Sequence, residues 1–455
     1  MRSVLAILLS TIAFSAHADA VDDLVQAQMT RSRIPAAAVA IVEDGRITKL
    51  QGYGVAALEW AAPADADTPF QIASGTKIFT GVLLMRLVER GDIRLDDTLD
   101  RYFDDAPESW KRITVRHLAN HTSGISDDIG PWPDKTADFV ATAKKTPLAY
   151  PTGAKSSYGL VDFVLLRAVM EKASGLEFQA LLDREIVQPL GLTHTRFNGM
   201  RNEGPMRVSA PIPGRAVVYS WKDGGQTIRE FLYPEPTYAA GGLFSSARDI
   251  AKLFAALDQG RYLKPDSLTQ LMTPGVLNDG SKGGFGVGWV ARRLRGQPVA
   301  GHSGGPALAD IVRLPQGKRT VIVLTNQARF YPLLADAVAG LDMPPAPATP
   351  VLKDDAPQIT ALLGTVLKET AAGTPDPSRY NEQGRKSALP YWQGFGMGFL
   401  EAVGDYQSAD LIAERREGGR LIRTYLVRFA AHSARLRLET DAAGLIEGLF
   451  PVGED

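Results

Sequence analysis

A helix that is apolar on nearly every side belongs inside a large core. The run Ile78-Phe79-Thr80-Gly81-Val82-Leu83-Leu84-Met85-Arg86-Leu87-Val88 reads as such a helix. Directly ahead of it stand Ser74 and Lys77, in Phe70-Gln71-Ile72-Ala73-Ser74-Gly75-Thr76-Lys77. Residues three apart share one helix face, about 5–6 Å apart at Cβ. A helix beginning at the serine therefore brings the amine beside the hydroxyl. Burial disfavours a charged amine, and an uncharged one helps remove a serine proton. Serine and lysine at this spacing also occur on ordinary helix surfaces. This pair precedes a core helix, which favours the catalytic reading.

The bulk properties narrow the setting. Residues 1–20 read as a cleavable signal peptide: Arg2 is the charged start, Val4 to Phe14 the apolar stretch, and Ala18-Asp19-Ala20 the cleavage site. Ala16-His17-Ala18 offers a second cleavage site. The apolar stretch is too short to span a membrane, and no other run approaches the needed length. The expected location is periplasmic or secreted. The chain has no cysteine, which excludes disulfides, thiolate metal sites, cysteine nucleophiles and a lipoprotein anchor. About 430 residues remain after cleavage, enough for a large core without disulfides. Net charge is −1 with both signs interleaved, so no nucleic-acid partner is expected.

Along the chain, Val21 to Met29 reads as a short helix. Ala36 to Val42 and Ile47 to Tyr53 read as strands joined by an Asp44-Gly45 turn. From Phe70 to about residue 250 the pattern is mostly helical. Strand patterns return at Gly284 to Trp289, Val299 to Gly301, Ile311 to Leu314 and Arg319 to Leu324, the last two joined by Pro315-Gln316-Gly317-Lys318. Residues 341–354 form a linker, stiff at Pro344-Pro345-Ala346-Pro347-Ala348-Thr349-Pro350. Beyond it, Ala356 to Ala371 looks helical and Gln407 to Phe450 looks like strands, with Leu436 and Leu438 alternating against charged neighbours. The expected division is 1–20 signal, 21–340 catalytic, 341–354 linker and 355–455 a small α+β accessory domain, cone-like in the manner of cystatin or NTF2 folds.

Ordered landmarks follow the Ser74 motif. They are Ile113-Thr114-Val115-Arg116-His117-Leu118-Ala119-Asn120-His121-Thr122-Ser123-Gly124, Gln188-Pro189-Leu190-Gly191-Leu192, Ala240-Gly241-Gly242-Leu243-Phe244-Ser245-Ser246, Phe285-Gly286-Val287-Gly288-Trp289 and Gly301-His302-Ser303-Gly304-Gly305. With them the chain resembles the serine β-lactamase and penicillin-binding-protein superfamily over roughly residues 22–335. Its nearest resemblance there is to the class C-like branch, with D-alanyl-D-alanine carboxypeptidases, D-aminopeptidases and esterases. The resemblance implies an antiparallel sheet flanked by helices, plus an all-helical subdomain, with the active site where the two meet. The C-terminal α+β domain lies outside it.

The resemblance also assigns roles. Ser74 is the nucleophile and Lys77 its neighbouring base. Counting back from Phe163-Val164-Leu165-Leu166 places Tyr158 at the family's catalytic tyrosine, able to relay a proton to the leaving group. Where the family's Tyr-x-Asn motif has asparagine, this chain has Leu160. That asparagine helps hold the lysine and bind the substrate amide, and leucine offers no hydrogen bond. A site deprived of such a bond discriminates against the substrate that needs it, so esters gain over β-lactams and peptides. Ser156 and Ser157 are the nearest substitutes. His302, Ser303 and Gly304 stand where the family has Lys-Thr-Gly or His-x-Gly on an edge strand, with His302 binding a substrate carboxylate or tuning the proton field. The N–H groups of Ser74 and Gly305 would form the oxyanion hole, and Gly304 and Gly305 permit close approach of substrate.

Three other readings compete. Gly301-His302-Ser303-Gly304-Gly305 matches the G-x-S-x-G elbow of α/β-hydrolases, but two strand patterns rather than a helix follow it. His117 and His121 stand four apart, a spacing that can bind zinc, but no Glu or third ligand accompanies them. A non-catalytic binding module on the same fold is the third. The reading favoured is an exported serine hydrolase, without metal or organic cofactor, acting on a small ester, amide or D-amino-acid peptide. Cell-wall peptides are among its candidate substrates.

Overall fold

The computed structural model describes residues 19–305, 308–329 and 333–453. All but two residues of the expected signal segment lie outside these. The central strand, β1 (Ala36–Glu43), is Ala, Val and Ile along most of its length, and seven of its eight residues are buried. Such a strand is covered on both faces. It pairs antiparallel with β2 (Arg46–Ala57), which carries the short β3 (Ala62–Pro63). From the far end of the sequence come β4 (Val290–Leu294), β5 (Gln297–Gly304), β6 (Ala309–Leu314) and β7 (Arg319–Thr325). Together they form one seven-stranded sheet in the order β4-β5-β6-β7-β1-β2-β3, joined where β1 meets β7.

Alternation along β1 divides two cores. Ala37, Val39 and Ile41 pack with Val321 and Val323 against helix α1 (Ala20–Ser32) and a later helix, Leu334–Ala339. Ala36, Ala38, Ala40 and Val42 face the larger core. That core holds α2 (Thr76–Arg90), α3 (Val161–Ser174) and α4 (Ala247–Asp258). The sheet is thus sandwiched between helices, and the helical region between its two halves meets it along α2.

Three sequence expectations change. The α-helix starts at Thr76, and Ser74 lies in a 3₁₀ turn, Ala73–Gly75, just ahead of it. Gly284 to Trp289 is not a strand; β4 begins at Val290. Its glycines serve close approach instead: a Cβ on Gly286 would lie 2.2 Å from the Leu271 carbonyl oxygen, and Gly288 adopts φ +78° against Gly81 and the Lys77 carbonyl. Finally, the stretch before residue 250 contains two β-hairpins, Arg201–Glu203 with Met206–Val208 and Tyr219–Lys222 with Gly225–Ile228. The second turns at Asp223-Gly224, an Asp-Gly signal like the one recognised at Asp44-Gly45.

Pro344 to Pro350 carries neither helix nor strand. After it, α5 (Pro357–Ala371) packs on a four-stranded antiparallel sheet of β8 (Tyr406–Glu417), β9 (Arg420–Phe429), β10 (Ser433–Thr440) and β11 (Ile446–Val452), in sequence order. These share a separate apolar core with the buried Trp392, whose indole N–H donates to the Leu449 carbonyl at 2.8 Å.

Candidate active site

Ser74 sits in a turn fixed from three sides. Ala73 ahead of it adopts φ +45°, a left-handed conformation costly for a residue with a Cβ. The strain is held by short bonds: Gly75 N–H to Ile72 O at 2.8 Å, Ile72 N–H to Leu243 O at 3.0 Å and Thr76 Oγ1 to Ala73 O at 2.7 Å. On the sheet side, β5 ends against the same turn. A Cβ on Gly304 would fall 1.9 Å from the Ile72 carbonyl oxygen and 3.3 Å from Ala73 Cβ. Only glycine fits there, so the end of β5 abuts the nucleophile turn.

Lys77 is 1% exposed. Its Nζ donates to Tyr158 Oη at 2.7 Å and to the Ala240 carbonyl at 2.7 Å. Tyr158 Oη is 2.9 Å from Ser74 Oγ. The amine therefore reaches the serine through the phenol, and Tyr158 rather than Lys77 is the direct partner of Ser74. The turn explains this: Ser74 lies outside the α-helix, so the same-face spacing expected from the sequence does not apply. One turn further along α2, Thr80 Oγ1 donates to the Ala239 carbonyl at 2.7 Å. Two neighbouring carbonyls thus anchor the polar side chains of an otherwise apolar helix.

Tyr158 precedes α3 on a loop gripped through its backbone. Ser157 N–H donates to the His121 carbonyl at 2.8 Å. The Asp127 carboxylate caps α3, accepting from the N–H groups of Leu160 at 2.8 Å and Val161 at 2.9 Å. Anions suit helix N-termini. The Leu160 side chain is half-buried against the large core and cannot hold the lysine. Neither serine replaces the missing asparagine: Ser156 Oγ faces the Asn120 carbonyl and Gly284 N–H, while the Ser157 hydroxyl faces Tyr150. The Ala240 carbonyl does the holding instead.

A family model described as Beta-lactamase matches residues 21–340. The chain belongs to the β-lactamase family. Among curated relatives, Penicillin-binding protein 4* of Bacillus subtilis is 27% identical over 310 residues, 64% of this chain and 67% of that one. Esterase EstB of Burkholderia gladioli is 28% identical over 340 residues, 65% of this chain and 85% of that one. The solved octameric penicillin-binding protein homologue from Pyrococcus abyssi, 19% identical, superposes with a TM-score of 0.61 over 95% of this chain and 98% of its own. That likeness, of fold alone, runs on through the C-terminal region.

As a β-lactamase-family serine hydrolase, the protein departs from expectation at His302. This residue is 6% exposed, and burial, followed by the nearby Lys77, pushes its imidazole down to about 3. Its Nδ1 lies 2.7 Å from the Ser303 carbonyl oxygen, so the proton is assigned there. A neutral ring carries no charge of its own toward a substrate carboxylate. Ser303 lies within β5 and the next element is β6, so the strand-turn-helix of a nucleophile elbow is not built. Nor do His117 and His121 share a helix: the helix ends at Ala119, His117 Nδ1 accepts from Thr114 N–H at 3.1 Å, and His121 turns to Asp162.

Sequence reasoning missed Tyr233. It is 8% exposed, its hydroxyl lies toward the Ser74 side chain, and burial raises its phenol well above the usual value. Its ring occupies space freed by two glycines: a Cβ on Gly241 would meet Tyr233 Cε1 at 2.2 Å, and one on Gly242 would meet Tyr233 Cβ at 2.9 Å. The Gly241-Gly242 pair was the signal available.

Proposed function

We propose that the protein is an exported, class C-like serine hydrolase that cleaves small neutral esters through a Ser74 acyl-enzyme. The hydrogen-bonded series Lys77–Tyr158–Ser74 carries this reading. Ser74 Oγ attacks the carbonyl carbon as its proton passes to Tyr158 Oη, while the phenol's own proton passes on to an uncharged Lys77 Nζ. Lys77 Nζ holds the relayed proton as an ammonium beside that oxygen and returns it in the next step. Tyr158 then protonates the leaving alkoxide, and the carbonyl reforms as the acyl-enzyme. Water attacks in turn, and the same groups act in reverse to release the acid. The N–H groups of Ser74 and Gly305 hold the oxyanion.

Ester preference rests on what surrounds the series. His302 is neutral, and Leu160 offers no amide bond. The rings of Tyr158 and Phe285 stack with centroids 5.8 Å apart, and Phe231, 52% exposed, packs edge-on to Tyr233 at 4.8 Å. Aromatic walls suit apolar acyl or alcohol groups. The similarity to an esterase accords with this. The test is kcat/KM on p-nitrophenyl esters, a chromogenic cephalosporin and a D-alanyl-D-alanine peptide. Esters should lead by at least tenfold, with all hydrolysis lost in Ser74→Ala. A lead for the peptide or the cephalosporin would refute the assignment.

A further inference from the structure

Behind Tyr158 lies a buried pair that the mechanism above does not use. His121 and Asp162 are both buried, with His121 Nδ1 3.1 Å from Asp162 Oδ2. Ser123 Oγ donates to the other carboxyl oxygen, Oδ1, at 2.5 Å. The His121 ring lies against three others: Tyr158 at 4.8 Å, Phe163 at 5.0 Å and Phe285 at 4.7 Å between centroids. Its Nδ1 also accepts from the Gly159 N–H at 3.3 Å, and its backbone carbonyl accepts from the Ser157 N–H at 2.8 Å. One histidine therefore holds the residue before Tyr158, the residue after it and the face of its ring.

This arrangement carries two penalties. His121 adopts φ +57°, and its Nε2 is buried with no partner among the described residues. An unpaired buried polar atom costs about 1–3 kcal/mol, and strained backbone of this kind collects where function demands it. A residue serving only to fill the core would be better served by phenylalanine.

We infer that His121, held by Asp162 acting as a neutral acid, is the positioning residue that aims the Tyr158 hydroxyl at Ser74. The contacts suit one placing of the proton. Gly159 N–H points at Nδ1, so Nδ1 presents its lone pair. An O–H on Asp162 Oδ2 shares that pair, the contacts of 3.1 and 3.3 Å being long as in a bifurcated bond. Burial acts the same way on both groups, raising Asp162 well above the carboxylate range and lowering His121 to about 3. Neither charged form is favoured there. The pair differs from a carboxylate–imidazolium dyad: it is an uncharged clamp.

The inference rests on Tyr158 being the group that acts on Ser74, so that reading is checked first, by acylation of the wild-type protein with a fluorophosphonate and its loss in Ser74→Ala. No acylation of the wild type would defeat the proposed mechanism. Given acylation, rates are compared across variants, with thermal melting to confirm folding. His121→Phe and Asp162→Ala should each slow acylation more than tenfold and lower kcat for an ester with KM changed less than threefold. Asp162→Asn, whose amide donates to Nδ1 and accepts from Ser123, should restore at least a third of the wild-type rate. In a Tyr158→Phe background, His121→Phe should cause no further loss, because both act through one hydroxyl. An Asp162→Asn enzyme as slow as Asp162→Ala would overturn the neutral clamp. Full acylation in His121→Phe, or additive losses in the double variant, would overturn the positioning role. Should His121→Phe fail to fold, the two Asp162 variants and Ser123→Ala decide the question.

Discussion

At Ser74, one atom gathers most of the chemistry: its Oγ meets the Tyr158 hydroxyl at 2.9 Å. Removing the Tyr158 hydroxyl should therefore be nearly as damaging as removing the nucleophile. Tyr158→Phe is expected to lower kcat/KM for an ester by 10²–10⁴-fold, the usual worth of general acid–base catalysis, with little change in melting temperature because Tyr158 is 47% exposed. His302 gives a pH signature. Its pKa falls from an ordinary ~6.5 to about 3 on folding. The neutral ring thus contributes stability that is whole above pH ~6.5 and is lost as pH falls towards 3. Denaturant melts should show wild type losing ground to His302→Gln below pH 6.5, with a slope approaching about 1.4 kcal/mol per pH unit. An equal pH dependence in the two proteins would refute the buried neutral state. Ser74, Lys77 and Tyr158 were legible from spacing and order. The Ala240 carbonyl was not, because a backbone oxygen has no sequence letter, and neither was Asp127, an exposed loop carboxylate brought to its helix only by folding.

At the scale of elements, the strand ends matter more than the strands. The β1, β2, β6 and β7 runs were readable because apolar and β-branched residues recur over four to seven positions bounded by turn signals. The glycine run before β4 was misread because Phe285, Val287 and Trp289 alternate with a strand's period of two, whereas Gly286 and Gly288 serve close backbone approach. Gly304 shows which of these matters at the site. Gly304→Ala places a methyl carbon 1.9 Å from a backbone oxygen held in a strained turn. It should cost about 1–3 kcal/mol in denaturant melts and abolish Ser74 acylation, whereas wild-type acylation in this variant would show the contact to be unimportant. The first helix makes a separate prediction. Asp19 caps α1 and pairs with Lys49 at 2.8 Å. Cleavage after Ala18 keeps this cap; cleavage after Ala20 removes it. N-terminal sequencing of exported protein should begin at Asp19, and a start at Val21 would contradict this.

Across the whole molecule, the two terminal sets of strands close one sheet around the active-site helix, while the C-terminal strands build a second core. The sequence carries a proline-rich stretch ahead of the second core and alternation within it. It did not show what ties the stretch to the second core: the buried Arg423, bonded to Asp354 at 2.8 Å and Glu414 at 2.7 Å. The apolar cores of the two regions are separate, and among the described residues Gln28 Nε2 and His432 Nε2 meet between them at 3.5 Å. Trp392→Ala should therefore disrupt the second core by about 3–5 kcal/mol while leaving acylation of Ser74 by a small probe within threefold of wild type. Loss of acylation in this variant would mean that the two cores are coupled.

The central claim is that Ser74 is a nucleophile activated through Tyr158. Peptide mapping by mass spectrometry after fluorophosphonate treatment tests it most directly. The account predicts label on the peptide carrying Ser74, and far slower labelling in Tyr158→Phe. Label on Ser303, or a hydrolytically active protein with Ser74 unmodified, would contradict it.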